Sequence, residues 1–413
     1  LESIHAGGIL ARTITLVRHA ETVSNIAGTW QGQTDSPLSD RGRLQVERLR
    51  DRMDGPWDGL LVVSDLGRTR TTASVIGTGE ALTEWREFDL GAWDGLRPEE
   101  IRARYPEVDR VRFGSGDFQP DGGERFSAFK ARIHEAFDTV AARMDDGDHA
   151  TVVTHGGVIQ TIIGLLLDTA DQSVILVPSN ASLTTVRLDG DDVQVSVFND
   201  DLHLNGGVVR PPGARLRLIR HGQTLGNLEG RWWGRGETPL SEQGRRQAAM
   251  LANVVGPFDT IVSSPLSRAR DTAEPVAAAQ DKEVTIVEGF AEFDFGEWEG
   301  LSIAEIMERD GEMFRHIHIE GNDEPRGRIG ETFTGVGERM AAAAEQVVSN
   351  GDGTVGVFTH GGATRAYASL LLGIPFADRE RLPIPRNTAH MELIWVGDGP
   401  RLSSYNVAAH LGT

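Results

Sequence analysis

The chain is written twice. TITLVRHAETVSN at 13–25 returns as RLRLIRHGQTLGN at 215–227, and DSPLSDRGRLQ at 35–45 returns as ETPLSEQGRRQ at 237–247. EFDLGAWDGL at 87–96 returns as EFDFGEWEGL at 292–301, and THGG at 154–157 returns at 359–362. The offsets, 202, 202, 205 and 205 residues, are nearly constant. A period of that length is the size of a domain, so it signals duplication of a whole domain and not a solenoid. The 413 residues are also more than one hydrophobic core usually serves. The seam lies in NDDLHLNGGVVRPPGA at 199–214, where a Gly pair and a Pro pair separate two patterned stretches. The expected domains are therefore 1–210 and 211–413.

Each copy alternates strand and helix patterns. Thr13–Val17 and Leu216–Ile219 are short aliphatic or β-branched runs ending in Arg-His, as buried strands do. An amphipathic stretch from Asp40 to Met53 follows Ser39, its expected N-cap, and Ser241 plays that part in the second copy. Leu60–Val63, Thr260–Val262, Thr151–Val153 and Thr354–Phe358 read as further strands. Each copy closes on a hairpin, turning at Asp189-Gly190 and at 397–399. The expected class is α/β: two similar three-layer α/β/α domains, each with a mostly parallel central sheet. Functional groups then belong at the carboxyl ends of the strands, where both Arg-His pairs and both His-Gly-Gly segments fall.

Composition excludes some classes. A net charge of −20 disfavours nucleic acid or an anionic membrane as the main partner. The longest apolar stretch, Val158–Leu167, is interrupted by Gln160, Thr161 and Gly164 and reads as a buried helix. Cysteine is absent, so there are no disulfides or thiolate metal sites. The opening LESIHAGGIL lacks the layout of a signal peptide, which makes the cytoplasm the expected compartment.

Five residues recur in each copy and share one chemical logic. Hydrolysing a phosphate monoester requires fixed positive charge around the phosphoryl oxygens, an in-line nucleophile and an acid for the leaving oxygen. Arginine binds phosphate bidentately and keeps its charge, and neutral imidazole is a competent nucleophile. The first copy offers Arg18, His19, Arg68, Glu87 and His155, and the second offers Arg220, His221, Arg268, Glu292 and His360.

Both halves resemble the histidine phosphatase, or phosphoglycerate-mutase-like, superfamily. The resemblance rests on Arg-His-x-x-Thr-x-x-Asn, the Arg of SDLGRTRTTA and SPLSRARDTA, the acid before Gly-x-Trp-x-Gly, and a late His-Gly. Four identities at fixed spacing arise by chance at ~10⁻⁵ per starting position. The match spans about 13–200 and 215–410. It implies that His19 and His221 become phosphorylated. Arg18, Asn25, Arg68 and His155, with Arg220, Asn227, Arg268 and His360, would bind the phosphoryl group, and Thr22 and Thr224 would brace the loop. Glu87 and Glu292 would serve as acid and then base. No metal or cofactor is implied.

The acid and the second histidine are 68 residues apart in both copies, a short insertion compared with the mutase pattern. This favours a metal-independent phosphatase of small phosphorylated metabolites with two active sites. A cofactor-dependent phosphoglycerate-type mutase, or one catalytic domain beside a non-catalytic binding domain, stays open, as does a homo-oligomer. Departures from the pattern concentrate in the first copy. Ala20 stands where the second copy has Gly222, a strain if that position needs positive φ. Asp65 replaces Pro265 and could compete for Arg68 or cap the next helix. Arg97, Arg102, Arg104, Arg110 and Arg112 interleave with Glu99, Glu100, Glu107 and Asp109 as a solvated helix face. His316 and His318 have a two-residue metal spacing on an expected strand, with no third ligand nearby. Trp93 and Trp298 are expected to pack the core beneath the acid loop, while Trp232 and Trp233 are equally compatible with the core or with a substrate contact.

Overall fold

The computed structural model describes residues 10–53, 59–106, 117–348, 353–397 and 399–408. The chain divides into two compact units, Leu1–Arg210 and Pro211–Thr413.

In the N-terminal unit, β1 (Arg12–Arg18) runs parallel to β4 (His149–Thr154), β4 to β2 (Leu60–Ser64), and β2 to β3 (Glu80–Leu82). On its other side β1 pairs antiparallel with β5 (Leu183–Asp189), and β5 with β6 (Asp192–Asp200). The order is β3-β2-β4-β1-β5-β6. The C-terminal unit repeats it with β7 (Arg215–Arg220), β8 (Thr260–Ser263), β9 (Val284–Ile286), β10 (Thr354–Thr359), β11 (His390–Val396) and β12 (Gly399–Val407), in the order β9-β8-β10-β7-β11-β12. A mostly parallel sheet with a closing antiparallel hairpin is the architecture the sequence pattern implied, whereas the short fourth parallel strand, β3 or β9, was not marked by it.

Both faces of each sheet are covered, as the near-continuous apolar strands require. In the N-terminal unit, Val17, Val63 and Val153 share a core with Leu49 of α2 (Asp40–Arg52) and Ala73 of α3 (Gly67–Ala73). Their neighbours Leu16, Val62 and Val152 point to the opposite face and are as deeply buried. Helix α6 (Gly156–Leu166) packs against β1, and α5 (Phe126–Ala142) packs against α6. Each fully buried aliphatic side chain of this set stabilises the unit by about 1.5–3 kcal/mol. Ser39 caps α2 by accepting from the Gly42 amide at 2.9 Å, and Ser241 caps its counterpart (Glu242–Val254) at 3.0 Å. Glycine at 42 and 244 has a steric reason: a Cβ there would collide with the carbonyl oxygen of Glu21 or Gln223, in the loop after each Arg-His pair.

One expectation is corrected and two open questions are decided. His316 and His318 lie on a helix, Ile303–His318, not a strand. An i, i+2 pair diverges on a helix: His316 is half-exposed beside Glu320 and Glu324, whereas His318 is half-buried, its ring packed against Trp232, Phe314 and Phe376. Position 20 does not need positive φ, since neither Ala20 nor Gly222 is left-handed, and the Ala20 methyl is fully buried without that strain. Trp232 joins the aromatic core with Trp298 and Phe314, which favours packing over substrate contact there. Trp93 and Trp298 are buried as expected. Arg97 and Arg102–Arg104 flank or lie on a short helix, Pro98–Arg104, while Arg110, Arg112, Glu107 and Asp109 lie outside the described residues. No helix among the described residues is long and apolar enough to cross a membrane.

Candidate active site

The sheet register places the two histidines side by side. Arg18 ends β1 opposite Thr154, which ends β4, so His19 and His155 are the next residue on adjacent parallel strands. The His19 amide donates to the Thr154 carbonyl at 2.9 Å, and the two rings sit edge to face with centroids 5.3 Å apart. The C-terminal unit reproduces this at His221 and His360, with centroids 5.2 Å apart. The neighbouring strand ends at Ser64, and α3 begins three residues later, delivering Arg68 from its first turn.

Hydrogen bonds fix which ring nitrogen does what. His19 Nδ1 lies 2.8 Å from the Ala20 carbonyl, and His221 Nδ1 lies 2.7 Å from the Gly222 carbonyl. A carbonyl only accepts, so each Nδ1 carries the proton and each Nε2 presents a lone pair. The second histidines bond differently. His155 Nε2 meets Ser64 Oγ at 2.8 Å, and His360 Nε2 meets Ser264 Oγ at 2.7 Å, while both Nδ1 atoms are buried without a partner among the described residues. If the serine hydroxyl donates, Nδ1–H becomes a donor waiting for an acceptor. Arg18 Nε and Arg68 Nε are buried donors in the same condition. Buried unpartnered donors are costly unless a ligand completes them, and an oxyanion would satisfy all three.

The arginines are held mainly by carbonyl oxygens, which orient a guanidinium without cancelling its charge; Arg68 has one carboxylate partner besides, Asp35 at 3.5 Å. Arg18 Nη1 donates to Pro178 O at 2.6 Å, and Arg220 Nη1 to Pro385 O at 2.7 Å. Arg68 donates to Gly32 O at 2.6 Å and Thr34 O at 3.1 Å, and Arg268 to Gly234 O at 2.7 Å and Gly236 O at 2.9 Å. Burial lowers the pKa of Arg18 to about 10 and also lowers Arg68 and Arg268, so all remain cationic at neutral pH. Burial, reinforced by these cations, holds His19, His155, His221 and His360 well below the usual imidazole range. They are neutral, as a nucleophile must be.

The two glycines after each second histidine have separate reasons. A Cβ on Gly156 would stand 3.0 Å from Arg18 Nε, and one on Gly361 would stand 3.0 Å from Arg220 Nε. A Cβ on Gly157 would stand 2.6 Å from Glu87 Oε1, and one on Gly362 would stand 2.8 Å from Glu292 Oε1. Glu87 accepts from the amides of Phe88 and Gly157, both at 2.9 Å. Glu292 accepts from Phe293 at 3.0 Å, Gly362 at 3.1 Å and Ala363 at 2.8 Å, one donor more than its counterpart. Burial raises the Glu87 pKa, against the lowering pull of those amides and of Arg68 and Arg18.

Thr22 and Thr224 brace the nucleophile loop as expected. Each caps a short helix (Val23–Ala27 or Leu225–Leu228) and completes a capping box with Asn25 or Asn227. The Asn25 oxygen is thereby used, accepting from the Thr22 amide at 3.1 Å and from Asn180 Nδ2 at 3.2 Å, so only its NH₂ can serve a ligand. Asp65 neither competes for Arg68 nor caps α3. It forms a bidentate pair with Arg86 at 2.6 and 2.7 Å, and Asp35 bonds the first amide of α3 instead. Residues that sequence reasoning missed are Ser64 and Ser264, Thr72 and Thr272 (which receive the Ala20 and Gly222 amides), and Asn180 and Asn387. Each of those asparagines donates to its nucleophile's carbonyl at 3.0 Å. The repeated Ser-Asn-Ala and Arg-Asn-Thr before each last hairpin were the available signal.

Comparison with known proteins agrees with this geometry. The family model for the histidine phosphatase superfamily (branch 1) matches residues 14–201 and 216–408. The chain is 31% identical over 201 residues to a metal-independent phosphoserine phosphatase of Arabidopsis thaliana, covering 46% of this chain and 83% of that one. It is 31% identical over 205 residues to a probable phosphoglycerate mutase GpmB of Yersinia pestis, covering 48% and 94%. It is also 34% identical over 185 residues to the bifunctional protein Rv2228c of Mycobacterium tuberculosis, covering 44% of this chain and spanning half the length of that protein. Arg-His at the strand end, the second histidine beside it and a family match in each half lead to one conclusion: the chain belongs to the histidine phosphatase superfamily, branch 1, and carries its pattern twice.

Proposed function

We propose that each unit, 1–210 and 211–413, is a histidine phosphatase domain that hydrolyses small phosphorylated metabolites through a phosphohistidine intermediate, giving two active sites per chain. The observation that carries this reading is the convergence, in both units, of two arginines, a neutral nucleophile-ready imidazole, a second imidazole with an idle Nδ1 and a half-buried or buried carboxyl.

In the first step the phosphoryl oxygens take the N–H groups of Arg18, Arg68 and His155. His19 Nε2 attacks phosphorus in line, the P–O bond to the leaving group breaks, and protonated Glu87 gives its proton to the departing oxygen. In the second step ionised Glu87 takes a proton from water as that water attacks phosphorus. The P–N bond breaks, inorganic phosphate leaves, and His19 and protonated Glu87 are restored. Arg220, His221, Arg268, Glu292 and His360 act alike in the C-terminal unit, and the NH₂ groups of Asn25 and Asn227 complete the two cradles.

Net hydrolysis is favoured over phosphoryl exchange by the short insertion, 68 residues from acid to second histidine in both units, and by relatives named as phosphoserine phosphatases. A mutase must keep its phosphoenzyme from water, which calls for a larger enclosing cap. We assign the protein to the cytoplasm, where such metabolites occur. The test is to assay phosphate release from an aryl phosphate, without a bisphosphate primer, by the parent, His19→Ala, His221→Ala and the double variant. Each single variant should retain one unit's share and the double variant none. Full activity in one single variant with none in the other would leave one unit non-catalytic, and exchange without net release would make the protein a mutase.

A further inference from the structure

The two sites share their phosphate-binding groups but differ at two positions that are tied directly to them. One is the residue between the carbonyls that hold the second arginine. In the C-terminal unit Arg268 donates to Gly234 O and Gly236 O, and Arg235 stands between them. In the N-terminal unit that position is Gln33, which donates to the Glu87 carbonyl at 3.3 Å and accepts from Arg86 at 3.3 Å. The other position lies between the carbonyl that holds the first arginine and the asparagine that ties down the nucleophile. There the C-terminal unit has Arg386, between Pro385 and Asn387, and the N-terminal unit has Ser179, whose hydroxyl is spent on Asp201 at 2.7 Å.

Both arginines have unused donors. Among the described residues the Arg235 side chain has one polar partner, Glu331 at 3.4 Å, and that carboxylate already accepts from Arg339 at 2.8 and 3.0 Å. Arg386 is exposed, and its guanidinium has no partner among the described residues. The carbonyls on either side of Arg235 both hold Arg268, which fixes its backbone beside the phosphate-binding guanidinium. At the corresponding rim of the N-terminal unit, Arg86 is neutralised by the bidentate Asp65, whereas the C-terminal unit has Pro265 and Ala291 at those positions and so lacks that pair.

We infer that Arg235 and Arg386 form an anion-reading rim, and that the C-terminal site prefers phosphomonoesters bearing a second anionic group near the ester oxygen, a preference the N-terminal site lacks. The inference rests on the proposed phosphatase reading. An Arg fork completes charge-assisted bonds to a carboxylate or phosphate, whereas Gln33 and Ser179 offer neutral, already committed groups. The chain would then serve two substrate classes from two copies of the same catalytic centre.

The test uses full-length chain and a matched pair of probes, 2-phosphoglycolate and 2-hydroxyethyl phosphate, which differ in a carboxylate against a hydroxyl. In His19→Ala, where only the C-terminal site can turn over, the kcat/KM ratio of the anionic to the neutral probe should exceed the ratio in His221→Ala. Adding Arg235→Gln and Arg386→Ser should lower that ratio roughly 10- to 100-fold, the range for losing hydrogen bonds to a charged group. An equal fall on both probes, or an unchanged ratio, overturns the inference. Calorimetric binding of the two probes to the double His variant, with and without the rim substitutions, separates the two readings. Rim-dependent preference for phosphoglycolate in that variant, with no turnover of either probe by the parent chain, upholds the rim and removes the phosphatase reading. Turnover without any such preference does the reverse.

Discussion

Ser64→Ala isolates one hydrogen bond on which the chemistry depends. Ser64 and His155 are both fully buried, and the hydroxyl lies 2.8 Å from Nε2. In the proposed site that hydroxyl donates, which puts the ring proton on Nδ1, the atom left to bond a phosphoryl oxygen. Removing the hydroxyl leaves a buried ring nitrogen unsatisfied, at a cost of about 1–3 kcal/mol of stability. It also releases the tautomer. Losing a hydrogen bond to a charged phosphoryl oxygen costs about 1.5–3 kcal/mol in the transition state, or roughly 10- to 100-fold in kcat/KM. The assay is aryl phosphate hydrolysis in the His221→Ala background, so that only the N-terminal unit reports, with denaturant unfolding alongside. A variant within twofold of its background in kcat/KM would refute the reasoning, because the serine would then not be setting the tautomer. Ser264→Ala in the His19→Ala background should behave alike, and Leu266 would lose a further bond, from its amide to Ser264 Oγ at 3.3 Å.

Other expectations follow from the same geometry. In the His221→Ala background the rate should fall as pH climbs through the raised pKa of Glu87, since the acid must be protonated to serve the leaving group. Its acid limb should lie well below the ordinary imidazole value, because burial holds His19 neutral there; an acid limb at that ordinary value would contradict the His19 assignment, and a rate flat from about pH 5 to 9 would contradict Glu87 as the acid. Gly157→Ala should lower kcat about tenfold or more with little loss of fold, since the methyl group displaces the Glu87 carboxylate; unchanged kcat would mean that this carboxylate's position is immaterial. Asp65→Ala should cost less than about 1 kcal/mol, as expected for a partly exposed ion pair. Arg86 holds the Asp65 pKa below its usual value, so the pair's small stabilisation is present above that usual value and lost as pH falls through the lowered one. A large gain in phosphate affinity on this substitution would restore the idea that Asp65 competes for Arg68.

The sheet and the catalytic groups were legible for a shared reason. Strands that end in Arg-His or Thr-His must place those residues at the carboxyl edge, and a repeat read in register shows which of many arginines and histidines matter. Periodicity could not decide His316 and His318: alternating polar and apolar residues in FRHIHIE fit a strand as well as the end of an amphipathic helix, and tertiary packing of Phe314 and His318 settled the choice. Ser64 and Asn180 were illegible because serine and asparagine are ordinary loop residues whose partners lie 91 and 161 positions away in the chain. Asp65 was misread because its true partner, Arg86, comes from a segment whose approach only the folded sheet defines. Local chemistry was visible in the sequence, whereas the groups that orient it were set by topology.

Trapping the phosphorylated protein is the most direct measurement. Mixed with an aryl phosphate, quenched at alkaline pH and mapped by peptide mass spectrometry, the chain should carry phosphate on His19 and on His221, and acid treatment should remove it. Phosphate on a serine or threonine, or no modified peptide under conditions of rapid turnover, would contradict nucleophilic attack by these two imidazoles.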